Sequence, residues 1–116
     1  MRKPVIGVVG PCKSGKSVLK ARLETHGYTV RHIAQEHSYA KDMWKRLSKP
    51  DVLIYLDVSH EVSTQRGQLN WLMKEYQQEV QRLIHAREHA DLYIHTDELS
   101  EEEVFDKVKG IIDNLC

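Results

Sequence analysis

Val5-Ile6-Gly7-Val8-Val9-Gly10-Pro11-Cys12-Lys13-Ser14-Gly15-Lys16-Ser17 is the stretch on which the reading of the chain turns. From Val5 to Val9 it is an apolar, β-branched run behind Pro4, the pattern of a strand buried on both faces. From Gly10 to Ser17 it satisfies G-x-x-x-x-G-K-[ST] at every fixed position. Residues 17–26 then read as a helix with Val18, Leu19 and Leu23 on its inner face. Gly27 sits where a C-terminal cap belongs. A strand, a glycine-rich loop and a helix in that order are the context the loop pattern requires.

The loop pattern is that of a Walker A phosphate loop, and it implies a ligand as well as a fold. Gly10 and Gly15 permit backbone conformations that a side chain would forbid. The loop N–H groups can then turn inward around a chain of phosphates. Gly10, Pro11, Cys12, Lys13, Ser14, Gly15, Lys16, Ser17 and Val18 are the expected nucleotide contacts. Lys16 would supply charge to the β- and γ-phosphates, and the Ser17 hydroxyl would bind Mg²⁺. The positive end of the helix dipole adds to both.

Working outward, the 116 residues suit a single domain over 1–116 with one core. Lysine plus arginine and aspartate plus glutamate cancel at 17 each, so no basic field points to nucleic acid. No apolar run approaches the ~20 residues of a membrane span. Met1-Arg2-Lys3-Pro4 leads straight into the first strand and does not read as a secretory signal. The two cysteines form no metal motif, and a reducing cytoplasmic setting is expected. Cys12, at a helix N-terminus beside Lys13, is in a setting that can lower a thiol pKa; an inert loop filler is the plainer reading.

Residues 28–34 read as a second strand and 35–38 as a polar turn. A short helix over 39–47 would turn Met43, Trp44 and Leu47 inward. Lys49-Pro50-Asp51 breaks it. Residues 52–57 give the strongest strand signal. A short helix within 58–66 is capped near Ser59, and a long one runs over 71–89 with Leu72, Tyr76, Val80, Leu83 and Ile84 at helical spacing. Residues 92–95 make a fourth strand. Ser100 and Glu103 form a capping box for a last helix over 101–115, with Val104, Val108, Ile111 and Ile112 inward. Strands alternating with helices imply an α/β three-layer sandwich. We expect a four-stranded parallel sheet in the order 2-1-3-4, with the ligand beyond its carboxyl edge.

The first segment resembles the P-loop kinases of the P-loop NTPase superfamily. Lys49-Pro50-Asp51-Val52-Leu53-Ile54-Tyr55-Leu56-Asp57-Val58-Ser59-His60-Glu61-Val62 resembles the strand before the lid in thymidylate and deoxynucleoside kinases. His85-Ala86-Arg87-Glu88-His89-Ala90-Asp91-Leu92-Tyr93-Ile94-His95-Thr96-Asp97 is similar to the end of shikimate and dephospho-coenzyme A kinases. The resemblance implies a P-loop NTPase fold, with a loop like Thr96-Asp97-Glu98 bordering the adenine. It also implies a lid-like role for Arg66, and for Arg82 and Arg87. Those kinases are longer chains with a substrate-binding insert. Here only residues 28–47 fill that space, which reduces any acceptor region to residues 35–38 and the helix after them.

Phosphoryl transfer needs a phosphate cradle, a metal, an acid on the metal and cations on the moving charge. Lys16, Glu36 and Arg66 are the candidate catalytic residues. Ser17, Glu36 and Asp57 are the candidate metal groups; for Asp57, capping the helix near Ser59 competes with that role. Thr96 and Asp97 join Arg66 as candidate nucleotide contacts. His85 and His89 share a helix face at metal-ligand spacing but lack a third partner. His37, beside Glu36, is a candidate for substrate contact. Trp44, or Trp71 with Leu72, would give a homodimer patch. No guanine-recognition motif is present, so the sequence points to ATP/ADP or another NTP with Mg²⁺. Three readings remain open: transfer or hydrolysis of the γ-phosphate, a nucleotide-dependent module that signals to a protein partner, and a degenerate domain whose loop holds phosphate without turnover.

Overall fold

In a computed structural model, residues 4–67 and 72–115 are described, and the side chains of residues 47, 48, 67 and 115 fall outside that description. The strands are β1 (Val5–Val9), β2 (Thr29–His32), β3 (Val52–Asp57) and β4 (Leu92–His95). The helices are α1 (Lys16–Thr25), α2 (Met43–Ser48), α3 (His60–Gly67), α4 (Met73–His89) and α5 (Glu101–Leu115), with one 3₁₀ turn, Gln35–His37, after β2.

All three strand pairings are parallel and the order is β2-β1-β3-β4. Val8 is in register with His32, Val9 with Tyr55, and Asp57 with His95. Strand side chains alternate between faces, and the core divides accordingly. Ile6, Val8, Ile54 and Leu56 pack with Leu19 and Leu23 of α1 and Val108 and Ile112 of α5. Val9, Leu53 and Tyr55 pack on the other face with Trp44 of α2 and Leu83 and Ala86 of α4. Right-handed crossovers dictate this division. The chain leaves β1 toward β2 on one side and returns past β1 to β3 on the other, so α1 and α2 must cover opposite faces.

Two inward stripes and one helix boundary differ from the sequence expectation. In α4 the buried residues are Glu79, Leu83 and Ala86, while Ile84 is 45 % exposed and Leu72 is 66 % exposed. In α5 the stripe takes Phe105 in place of the exposed Ile111. The second helix is shorter than residues 39–47, and Lys49 ends it in a left-handed turn at φ 43°. Trp44 is buried, which removes it as a self-association patch. Trp71 lies outside the described residues.

Candidate functional site

The loop over residues 10–15 connects the carboxyl end of β1 to α1, where strand order reverses between β2 and β3. Crevices at such switch points are where open parallel sheets hold ligands. Gly10 has φ 156°, and a Cβ there would lie 2.1 Å from the Leu56 carbonyl oxygen. Gly15 is the N-cap of α1 at φ 101°, with open space around its Cα. Without a side chain there, the first N–H groups of α1 receive no side-chain cap, and no acidic residue occupies the first turn. That leaves the helix N-terminus open to an anion.

A cleft of about 730 Å³ opens at this point, and residues 12–18 line it together with Glu36, Arg66 and Thr96. Lys16 is buried, and its Nζ donates to the Gly10 carbonyl at 2.5 Å and to Glu36 Oε2. Glu36 is 3 % exposed, although the sequence places it in a polar turn. Gln35 explains the burial. Its side chain accepts from the Trp44 N–H at 2.9 Å and donates to the Ala40 carbonyl at 2.8 Å and the Arg82 carbonyl at 3.2 Å. The 3₁₀ turn is thereby pinned to both α2 and α4, and Glu36 points inward. Glu36 Oε1 and Ser14 Oγ are buried with no hydrogen-bond partner among the described residues.

Arg66 ties the cleft together. Its guanidinium donates to the Lys13 carbonyl at 3.1 Å, to Thr96 Oγ1 at 3.0 Å and to the Thr96 carbonyl at 2.5 Å. The Thr96 hydroxyl lies 2.9 Å from the Asp57 carbonyl and 3.3 Å from that of Ser14. The other predicted groups fall elsewhere. Asp57 does not line the cleft; its carboxylate accepts from the Val58 N–H at 2.9 Å and from the Tyr93 hydroxyl. Ser59 Oγ, not Asp57, takes the Val62 N–H at the start of α3. Asp97 also lies outside the cleft lining and accepts from the Ser59 N–H at 2.9 Å. Burial would raise the Asp97 carboxyl, but the Ser59 hydrogen bonds outweigh it and hold the group below its ordinary range.

The lid-like reading separates the helix arginines from Arg66. Arg82 donates to the Glu36 carbonyl at 3.2 Å, and Arg87 stacks 4.8 Å over the Tyr93 ring; neither lines the cleft. His85 Nδ1 accepts from the Trp44 indole at 3.1 Å, which spends that nitrogen on α2.

Cys12 departs from the low-pKa setting that its position suggests. Its Sγ lies 3.1 Å from Glu79 Oε2, and its N–H donates to Glu79 Oε1 at 3.0 Å. Burial, the hydrogen bond to Glu79 and its negative charge push the thiol up to about 12. Such a thiol stays protonated and is a poor redox switch. Glu79 is the residue that sequence reasoning missed. Its signal was there: it stands three residues after Tyr76 and four before Leu83, which puts a carboxylate on the inward face of α4.

No family model matches the chain, and no curated protein matches it. The chemistry of the cleft therefore has to be read from its own geometry.

Proposed function

We propose that the chain is a P-loop nucleotide-binding protein that takes ATP or another NTP with Mg²⁺ in this cleft and transfers or hydrolyses the γ-phosphate. The carrying observation is the buried Lys16–Glu36 pair at the open N-terminus of α1, beside two orphaned polar atoms. A buried carboxylate oxygen without a partner is costly unless something supplies the missing bond. Lys16, the α1 amides and the loop backbone would bind the phosphates. Ser17 and Glu36 would hold Mg²⁺, and both line the cleft. The metal would supply charge to the phosphate oxygens. Glu36 would orient the attacking water or acceptor, and Arg66 would hold Lys13 and Thr96 in place around the nucleotide.

Isothermal titration with ATP, ADP and GTP, with and without Mg²⁺, tests the reading. The expected result is Mg²⁺-dependent binding weakened in Ser17→Ala, whose exposed position leaves the fold intact, and lost in Lys16→Ala. Glu36→Gln, which removes one of the two groups on Mg²⁺, should weaken the Mg²⁺-dependent binding and lower turnover at saturating nucleotide by about 10²-fold, the lower range for a positioned acid–base group. Absence of binding by every nucleotide sinks the proposal.

One observation favours the module reading. Tyr39 is 91 % exposed, and the guanidinium of Arg82 lies 4.8 Å over its ring while also holding the Glu36 carbonyl. A change at Glu36 on nucleotide binding would reach this surface aromatic. Nucleotide-dependent self-association or partner capture without turnover would favour the module over the enzyme.

A further inference from the structure

Cys12, His37 and Glu79 reach one point from three separate elements: the loop before α1, the 3₁₀ turn and α4. Cys12 Sγ lies 3.7 Å from His37 Nε2 and 3.1 Å from Glu79 Oε2, and the three ligand atoms all lie within 4.8 Å of one another. Tetrahedral zinc sites have metal–ligand bonds of about 2.0–2.3 Å, which sets neighbouring ligand atoms about 3.3–3.6 Å apart. The cluster needs only small side-chain shifts to meet that spacing.

Charge points the same way. Glu79 is buried, and among the described residues no cation lies within ion-pair distance of it. Lys16 is already paired with Glu36. The Glu79 oxygens accept from the Cys12 N–H and thiol, so the carboxylate has hydrogen bonds but no cation beside it to balance its charge.

We propose that Cys12, His37 and Glu79 bind a single divalent cation of the zinc type. A thiolate, a neutral imidazole and a carboxylate suit a borderline ion, whereas Mg²⁺ takes oxygen ligands alone. The Cys12 proton leaves to solvent on binding, and two anionic ligands then balance the two positive charges. The site is distinct from Ser17 and Glu36. Cys12 and His37 line the cleft and Glu79 does not, and three protein ligands leave a fourth position of a tetrahedral ion to water or a ligand oxygen. The ion links the loop to α4 and to the turn that carries Glu36.

The test is Co²⁺ titration of the full, tag-free, metal-stripped chain, followed by absorption. The expected result is one equivalent of Co²⁺ giving a thiolate-to-cobalt charge-transfer band with tetrahedral ligand-field bands. Zn²⁺ should displace it and Mg²⁺ should not. The band should vanish in Cys12→Ser and persist in Cys116→Ser. His37→Ala and Glu79→Gln, each checked for folding by circular dichroism, should weaken Co²⁺ binding at least tenfold. No thiolate band, a band that depends on Cys116, or unchanged affinity in both His37→Ala and Glu79→Gln would overturn the proposal. No nucleotide enters the measurement, so its outcome is separate from that of the NTP reading.

Discussion

Lys16 and Glu36 are twenty residues apart in sequence and form a buried ion pair, with side chains 6 % and 4 % exposed. The pair joins the first residue of α1 to the turn after β2, across the cleft that separates the ends of two neighbouring strands. Burying two charges costs desolvation that their attraction only partly offsets. Removing one partner strands the other, so the two residues should behave as a unit.

Lys16→Ala alone should destabilise the fold by about 3–5 kcal/mol, the range for leaving one member of a buried pair uncompensated. Lys16→Met combined with Glu36→Gln removes both charges at similar volume and should cost far less than the sum of the single changes. Urea denaturation of the wild type, both single variants and the double variant measures the coupling. Strictly additive losses would show that the two side chains do not meet in the folded chain.

The two loop glycines should fail in different ways. Gly10→Ala places a Cβ 2.1 Å from the Leu56 carbonyl oxygen, so β3 or the loop must move. A loss of about 3 kcal/mol or more is expected. Gly15→Ala meets open space and pays only for a left-handed backbone, about 1–2 kcal/mol. Thermal melting of the two variants should rank them in that order. Equal losses would mean that the contact with Leu56 does not limit Gly10.

The sheet order and its layers were legible because the apolar runs are short and continuous and the helices between them carry clear punctuation. Ser100 and Glu103 form the capping box the sequence shows, with reciprocal bonds of 3.1 and 2.9 Å. The site was legible only where a motif fixed it locally. The loop motif singled out Lys16 and strand order singled out Glu36, but their mutual burial depends on Gln35 bonding to α2 and α4, a tertiary event with no local signature. Asp57 could not be assigned from sequence because a carboxylate at a strand end has several uses; in the fold it accepts from the Val58 N–H and from Tyr93 on the neighbouring strand. Glu79 escaped because an inward carboxylate interrupts an apolar stripe without revealing what it faces.

Arg66 is the only described side chain that bonds both to the loop, at the Lys13 carbonyl, and to Thr96 after β4 through its side chain and carbonyl. Arg66→Ala should cost about 1 kcal/mol in global stability, since the group is exposed and part of its bonding passes to water. Its larger effect should be local. Hydrogen exchange of the amides over residues 12–17 should accelerate while the β3 amides keep their protection. Arg66→Lys should not restore the slow exchange, because an ammonium cannot reproduce the planar fork that spans two acceptors. Unchanged loop exchange in Arg66→Ala would remove it as the tie between loop and sheet edge.

Alkaline pH gives the last prediction. The Tyr93 phenol is pushed up to about 12 by burial, by its hydrogen bond to Asp57 and by that carboxylate's charge. Tyr55, stacked 5.7 Å from Tyr93 and more deeply buried, is raised further by desolvation and the same charge. A phenol whose folded pKa exceeds its unfolded value near 10 binds its proton more tightly in the folded state. The stability this contributes is complete below about pH 10 and is lost as pH rises through the folded pKa. Stability from urea melts should therefore fall between about pH 10 and about pH 12. In Asp57→Asn the tyrosinate absorbance should begin at lower pH, because the negative charge is gone and a neutral amide replaces the carboxylate acceptor. If Asp57→Asn leaves the tyrosinate titration unmoved, the Tyr93–Asp57 contact is absent in solution. Asp57 would then be free to turn toward the cleft, and the metal role its sequence position suggests would return.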